Sequence, residues 1–236
     1  MALTFLRPSV SLAQRAGRSA RSIAALVSGG PDSAIMVQRL LAEGARILPI
    51  YLRGGLTWES AELAWLGRWL SAMRSPHLAP LEVLTWPLHA LYGPHWSLTG
   101  RGVPGARRPD AAVYLPGRNV ILLGAAAIVC ARRKISTIAL GILRGNPFGD
   151  ASTDFRRAMG RCLTRALSHP IRIIAPLAAC SKAQALRTAA GVPLELTFSC
   201  LRPQGWRHCG RCQKCAERRR AFRAARIPDP TVYVSR

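Results

Sequence analysis

From Ile23 onward, short runs of consecutive apolar residues alternate with longer stretches in which apolar positions recur every three or four residues. A short apolar run closed by Gly, Pro or Asn reads as a strand buried on both faces, and a period near 3.6 reads as an amphipathic helix. Five strands emerge, at residues 23–28, 45–52, 81–87, 137–143 and 171–177. Between them lie helical stretches. The first, from Asp32, closes on Gly44; the second, residues 57–73, has Thr57 as its predicted cap and Trp58, Trp65 and Trp69 on one core-facing side. Residues 119–133 read as a buried helix and 152–167 as a basic amphipathic one. The Ser181-x-x-Gln184 capping box opens a last helix of this part, predicted to end at Gly191. Strands alternating with helices imply right-handed crossovers and an α/β fold with a doubly wound, mostly parallel, five-stranded Rossmann-like sheet, whose ligands sit beyond the carboxyl ends of the strands.

Composition adjusts this picture in three ways. The 236 residues suffice for one large core plus a small appendage. The longest uncharged apolar run, Val120 to Ala131, is well short of the roughly 20 residues a bilayer requires, so no membrane partner is expected. The charge is lopsided: 34 Lys and Arg face 11 Asp and Glu for a net +23, and all but Lys134, Lys182 and Lys214 of the basic residues are arginine. Either a polyanion such as nucleic acid is a partner, or a GC-rich coding bias has loaded solvated faces with arginine. Residues 1–22 carry Arg7, Arg15, Arg18 and Arg21 without an acid and read as a basic, disordered leader ahead of the folded part.

The string Ser28-Gly29-Gly30-Pro31-Asp32-Ser33 lies between the first strand and its helix, where unpaired N–H groups and the positive end of the helix dipole meet. Glycines admit an anion to the backbone, and two serine hydroxyls add donors. Asp32 would repel a phosphate unless a cation stood between them, so its expected task is to help hold Mg²⁺ on a nucleotide's phosphates. The string matches neither G-x-x-x-x-G-K-[ST] nor G-x-G-x-x-G. Residues 89–110, rich in Gly, Pro and Arg, are expected to form a long loop acting as a lid over the nucleotide.

Seven cysteines without a secretory signal argue against a disulfide framework. Cys200, Cys209, Cys212 and Cys215 form C-x8-C-x2-C-x2-C, enough thiolates for a closed tetrahedral site, expected to hold structural Zn²⁺ rather than an iron–sulfur cluster. His208 is expected to be a neighbour and not a ligand. Cys130, Cys162 and Cys180 are expected to be small buried hydrophobes.

Taken in order, SGGPDS, Leu115-Pro116-Gly117-Arg118-Asn119, a Pro-Leu followed by the Lys182 helix, and the four cysteines followed by Asp229-Pro230-Thr231-Val232-Tyr233 resemble the 7-cyano-7-deazaguanine synthase family of the PP-loop ATP pyrophosphatase superfamily. The resemblance runs from about Ile23 to Tyr233. It implies an adenine nucleotide α-hydrolase-like fold and a cytoplasmic ATP-dependent ligase that adenylates 7-carboxy-7-deazaguanine, admits ammonia to form an amide and activates that amide to give the nitrile. Val27, Ser28, Gly29, Gly30, Pro31, Asp32, Ser33, Arg118 and Asn119 would then bind ATP, with Asp32, Ser33, Arg118 and Lys182 acting in catalysis: Arg118 pairing with a phosphate or carboxylate, Asn119 orienting a polar group and Lys182 supplying a point charge. Two segments depart from the family pattern, Tyr51 to Glu59 and Asn146 to Ala151. Both follow predicted strand ends, so the departure bears on the acid substrate and leaves the ATP chemistry alone.

The domain reading is a leader at 1–22, an ATP-binding α/β domain at 23–198 and a four-cysteine zinc module with a basic helix at 199–236. A carboxylic acid and ammonia are the expected partners; tRNA is permitted by the charge but not required, and a homodimer is allowed. Two further readings stay open. One is a PP-loop enzyme that modifies tRNA, which for thiolation would want a reactive cysteine near the nucleotide. The other is a non-catalytic zinc-ribbon protein that binds nucleic acid through its basic C-terminal segment.

Overall fold

The computed structural model describes residues 21–235. Five strands, β1 (Ser22–Leu26), β2 (Arg46–Arg53), β3 (Glu82–Thr85), β4 (Thr137–Ala139) and β5 (Arg172–Ile174), form one sheet in the order β3-β2-β1-β4-β5, every pair parallel. Among the described residues eight α-helices accompany them: α1 (Pro31–Ala42), α2 (Glu59–Ala72), α3 (His89–Tyr92), α4 (Trp96–Thr99), α5 (Arg118–Arg133), α6 (Thr153–Leu167), α7 (Lys182–Arg187) and α8 (Gln213–Ala225). The predicted doubly wound sheet is therefore what forms. Among the described residues no helix is long and apolar enough to cross a membrane.

The run IAALV is continuous because both faces of β1 are covered. Ile23, Ala25 and Val27 face a core shared with α1, α2, α7 and α8, whereas Ala24 and Leu26 face a second core made with α5 and α6. The cysteine-bearing segment is packed into the rest of the molecule: Phe222 of α8 is buried in the first core, and Cys200, Cys209, Cys212 and Cys215 share a third core with Trp58, Val113, Leu115 and Phe198.

Several local expectations give way to tertiary contacts. Ser22, assigned to the leader, is the first residue of β1, while the rest of that segment up to residue 20 lies outside the described residues. Thr57 does not cap α2: Trp58 holds the N-cap position in helical geometry, and the carboxylate of Glu59 instead accepts the N–H groups of Gly54 and Gly55 at 2.5 and 3.0 Å. Thr57 lies one residue before that cap, and its own N–H donates to Ser97 O at 2.9 Å. The three tryptophans divide, Trp58 and Trp65 going to the third core and Trp69 to the first. The capping box at Ser181 and Gln184 forms, but α7 stops at Arg187, and Gly191 (φ +78°) turns the chain beyond it. Cys130 is buried, Cys180 half-buried and Cys162 exposed on α6, so the last is no core residue.

Residues 89–110 are not one long loop. They form α3 and α4, then run beside the cysteine segment, with Ala106 N–H donating to Arg211 O, Gln213 N–H donating to Pro104 O and Gly105 bridging Cys212. None of these residues borders the cavity described next.

Candidate functional site

The strand order reverses between β1 and β4, and a cavity of about 330 Å³ opens above their carboxyl ends, within the size range of small-molecule sites. Residues 27–30 carry the chain from β1 into α1 along its wall. Gly30 is the N-cap in extended conformation with no side-chain capping bond, and Pro31 takes the first helical position, so the amides of the first turn remain free to meet an anion. Gly29 adopts φ +71°, and a Cβ there would meet Leu66 Cβ at 3.2 Å. The loop is fixed by Ser33 Oγ donating to Gly30 O (3.0 Å), by Ser28 N–H donating to Ser33 Oγ (3.4 Å) and by Phe198 N–H donating to Gly29 O (2.8 Å).

Asp32 sits in the first turn of α1, where the helix dipole favours a carboxylate. Its Oδ2 lies 3.2 Å from Lys182 Nζ, while its Oδ1 is buried without a hydrogen-bond partner. A carboxylate oxygen left bare beside a turn with free amides suits a divalent cation. Lys182, at the start of α7, also pairs with Glu217 of α8, whose Oε2 accepts Lys214 Nζ at 2.6 Å. Burial alone would lower the Lys182 pKa, but Asp32 and Glu217 outweigh it and hold the ammonium charged. Burial would likewise raise Glu217, yet Lys182 and Lys214 bring it down to about 2. Both lysines border the cavity, so two cations on one carboxylate fulcrum face the loop.

Arg118 and Asn119 begin α5 behind Gly117 (φ +70°) and border the same cavity. Arg118 forms no ion pair among the described residues. Asn119 also anchors the 146–151 segment: its N–H donates to Asp150 Oδ2 (3.1 Å) and its Nδ2 to Asp150 O (3.0 Å). Val27, Ser28, Gly30, Pro31, Asp32, Ser33, Arg118, Asn119 and Lys182 all line the cavity; Gly29 stands behind them against α2.

Sequence reasoning missed part of the wall. Tyr51 and Glu62 line the cavity as a buried pair, the phenol donating to Glu62 Oε2 at 2.6 Å. Trp58, assigned to the core alone, also lines it and stacks on Trp96 with centroids 5.8 Å apart, and Tyr114 stacks on Phe148 at 4.6 Å along another stretch of the wall. The aromatic residues lie in or beside the two segments that depart from the family pattern, which makes those segments part of the cavity.

The four cysteines meet at one end of the third core, their sulfurs all within 4.8 Å of one another. Separations of 3.9, 3.9 and 3.5 Å for the pairs 200–212, 209–215 and 212–215 are far beyond a disulfide and near the ~3.8 Å edge of a tetrahedron with ~2.3 Å metal–sulfur bonds. Backbone N–H groups of Leu201, Arg202, Cys209, Arg211 and Cys212 point at these sulfurs at 3.3–3.4 Å, which disperses thiolate charge. The donor set is that of a metal site. His208 is a neighbour: its Nε2 accepts Ser199 N–H at 3.2 Å, and burial followed by Arg218 holds it neutral with a pKa of about 3. Arg218 is itself buried, reaching Thr197, Thr231 and Leu194 O.

Residues 22–226 match the family described as queuosine biosynthesis protein QueC. The chain is 32% identical over 234 residues to the 7-cyano-7-deazaguanine synthase of Anaeromyxobacter dehalogenans, covering 93% of this chain and 98% of that one. It is 32% identical over 227 residues to that of Methanopyrus kandleri, covering 89% and 97%. Among solved structures, a 4-thiouridine synthetase in complex with RNA and bound ATP shares the fold at 17% identity and a TM-score of 0.51, covering 91% of this chain and 48% of that one.

Proposed function

Because the chain belongs to the QueC family of queuosine biosynthesis proteins, we propose that it is a 7-cyano-7-deazaguanine synthase, an ATP-dependent ligase that converts 7-carboxy-7-deazaguanine and ammonia to the nitrile. The observation that carries the ATP part is the bare Oδ1 of Asp32 in the first turn of α1, beside free amides and across from Lys182. A carboxylate is a poor electrophile, and its adenylate supplies a good leaving group. The amides behind Gly30 and the hydroxyl of Ser28 bind the departing pyrophosphate, the Ser33 hydroxyl, donating to Gly30 O, holds the turn in shape, and Asp32 would hold Mg²⁺, which would supply positive charge to the phosphates. Lys182, kept cationic by its two carboxylates, adds a fixed positive charge. Arg118, with no ion pair among the described residues, pairs with the acid's carboxylate or the α-phosphate. The four thiolates hold Zn²⁺ in a structural role.

The tRNA-thiolation reading loses its chemical requirement at Cys130, which is buried among α5 side chains with its thiol pushed up to about 12 by burial and then by Glu82. The test of the ligase reading is incubation with ATP, Mg²⁺, ammonium and 7-carboxy-7-deazaguanine, following pyrophosphate, AMP and the mass of the base. Nitrile with acid-dependent AMP is the expected result; AMP formation independent of the acid would overturn the substrate assignment.

Gly141 offers a milder probe of the same geometry. A Cβ there would lie 3.2 Å from both Asp32 C and Ser33 N, against backbone that has no slack. Gly141→Ala is expected to raise KM for ATP about tenfold, ~1.4 kcal/mol of lost binding, with a much smaller change in KM for the acid. Steady-state kinetics in each substrate check it.

A further inference from the structure

Glu62 is more than nine-tenths buried, yet it stands on the cavity wall rather than in the dry core. Its Oε2 is held by the Tyr51 hydroxyl, and among the described residues no hydrogen bond or ion pair occupies Oε1. The groups that face it are Tyr51 from β2, Glu59 from its own helix and Arg118 from α5, the last outside ion-pair distance. A buried carboxylate with one uncommitted oxygen on the wall of a cavity is a site for a small cation with N–H donors. The ligase reaction consumes ammonia, which at neutral pH is present mostly as one such cation, ammonium.

Resting on the ligase reading above, we propose that Glu62 binds ammonium and is the base that deprotonates it for amide formation. Ammonium has no lone pair with which to attack. The Glu62 carboxylate takes one proton, giving ammonia and a neutral carboxyl group. The nitrogen pair then forms the bond to the acyl carbon, the bond from that carbon to the AMP oxygen breaks, and AMP leaves with the electron pair. The attacking nitrogen loses a second proton to water to become the amide, and Glu62 returns its proton to water before the next turnover. Burial pushes the Glu62 carboxyl up to about 7, against the lowering by Tyr51 and Arg118 and with a smaller push from Glu59, so it is a stronger base than a solvated carboxylate. The Tyr51 bond fixes which oxygen takes the proton.

The test compares two amines in wild type and Glu62→Gln. Hydroxylamine keeps its lone pair at neutral pH and needs no base. Glu62→Gln is expected to lose about 10²- to 10³-fold in kcat/KM for ammonium and less than about threefold for hydroxylamine. Wild-type kcat/KM for ammonium is expected to rise with pH through an inflection near 7 that Glu62→Gln lacks. Equal losses for both amines, or no loss for ammonium, would overturn the assignment. Tyr51→Phe gives a second reading that keeps the carboxylate: removing the lowering hydrogen bond is expected to move the inflection to higher pH, and an unmoved inflection counts against Glu62. Acid-dependent exchange of pyrophosphate into ATP, measured in wild type without any amine, separates the two levels. Its presence alongside equal amine losses overturns Glu62 alone, and its absence overturns the ligase reading and this one with it.

Discussion

Asp32→Asn is expected to lower ATP cleavage about 10³-fold while leaving the protein folded. The substitution keeps the size of the side chain and the first-turn position on α1. The lost favourable interaction of a carboxylate with the helix dipole amounts to about 0.3–1 kcal/mol, and the lost pairing with Lys182 is offset by the Glu217 carboxylate that stays. The melting temperature should move by only a few degrees. The catalytic loss has a different origin. Oδ1 is buried without a protein partner, and an amide there no longer compensates a cation on the phosphates; removing one such charge in a desolvated site costs several kcal/mol of transition-state stabilisation. Pyrophosphate release and thermal melting on the same preparation decide it: a rate within tenfold of wild type would remove Asp32 from the chemistry.

What the chain order makes local was legible in its residues. The SGGPDS turn from strand to helix is legible because loop, glycines and helix start are consecutive, the Ser181–Gln184 box because its partners are three apart, and the cysteine cluster because three of its four members fall within seven residues. What depends on distant partners was not. Glu59 takes the amides of Gly54 and Gly55 only because the turn folds back on α2, and Asn119 turns to Asp150 across 31 positions. Glu217 looks like one acid in an arginine-rich tail until α7 brings Lys182 against it. The pairing of Tyr51 with Glu62 carried a faint signal, a glutamate on the apolar side of a helix after a strand with a tyrosine near its end, which a count of buried positions alone cannot tell from a surface acid. Residues 89–110 misled because glycine and proline mark irregular backbone equally well whether it hangs free or, as here, is pinned to the cysteine segment.

Stripping the four-cysteine site of its metal is expected to lower the melting temperature by more than about 10 °C and to abolish ATP cleavage along with it. Four thiolates this close cannot all stay ionised without a cation, and a structural metal bound this way contributes several kcal/mol to folding, each worth about 2–4 °C in a chain of this length. The link to activity is geometric. Cys212 is the N-cap of α8 and Cys215 lies in its first turn, so the ligands hold the start of the helix that carries Lys214, Glu217 and Arg218. Once that turn frays, Lys182 loses the Glu217 carboxylate and is left to Asp32 alone, Lys214 leaves the cavity wall, and Arg218 lets go of Thr197, next to the Phe198 amide that clamps Gly29. A chelator applied under reducing conditions, with melting and pyrophosphate release followed together and then again after readdition of Zn²⁺, makes the comparison. Parallel loss and parallel recovery are expected. A melting temperature that falls while cleavage persists at temperatures where the apo protein stays folded would mean that α8 supports the fold without positioning the lysines.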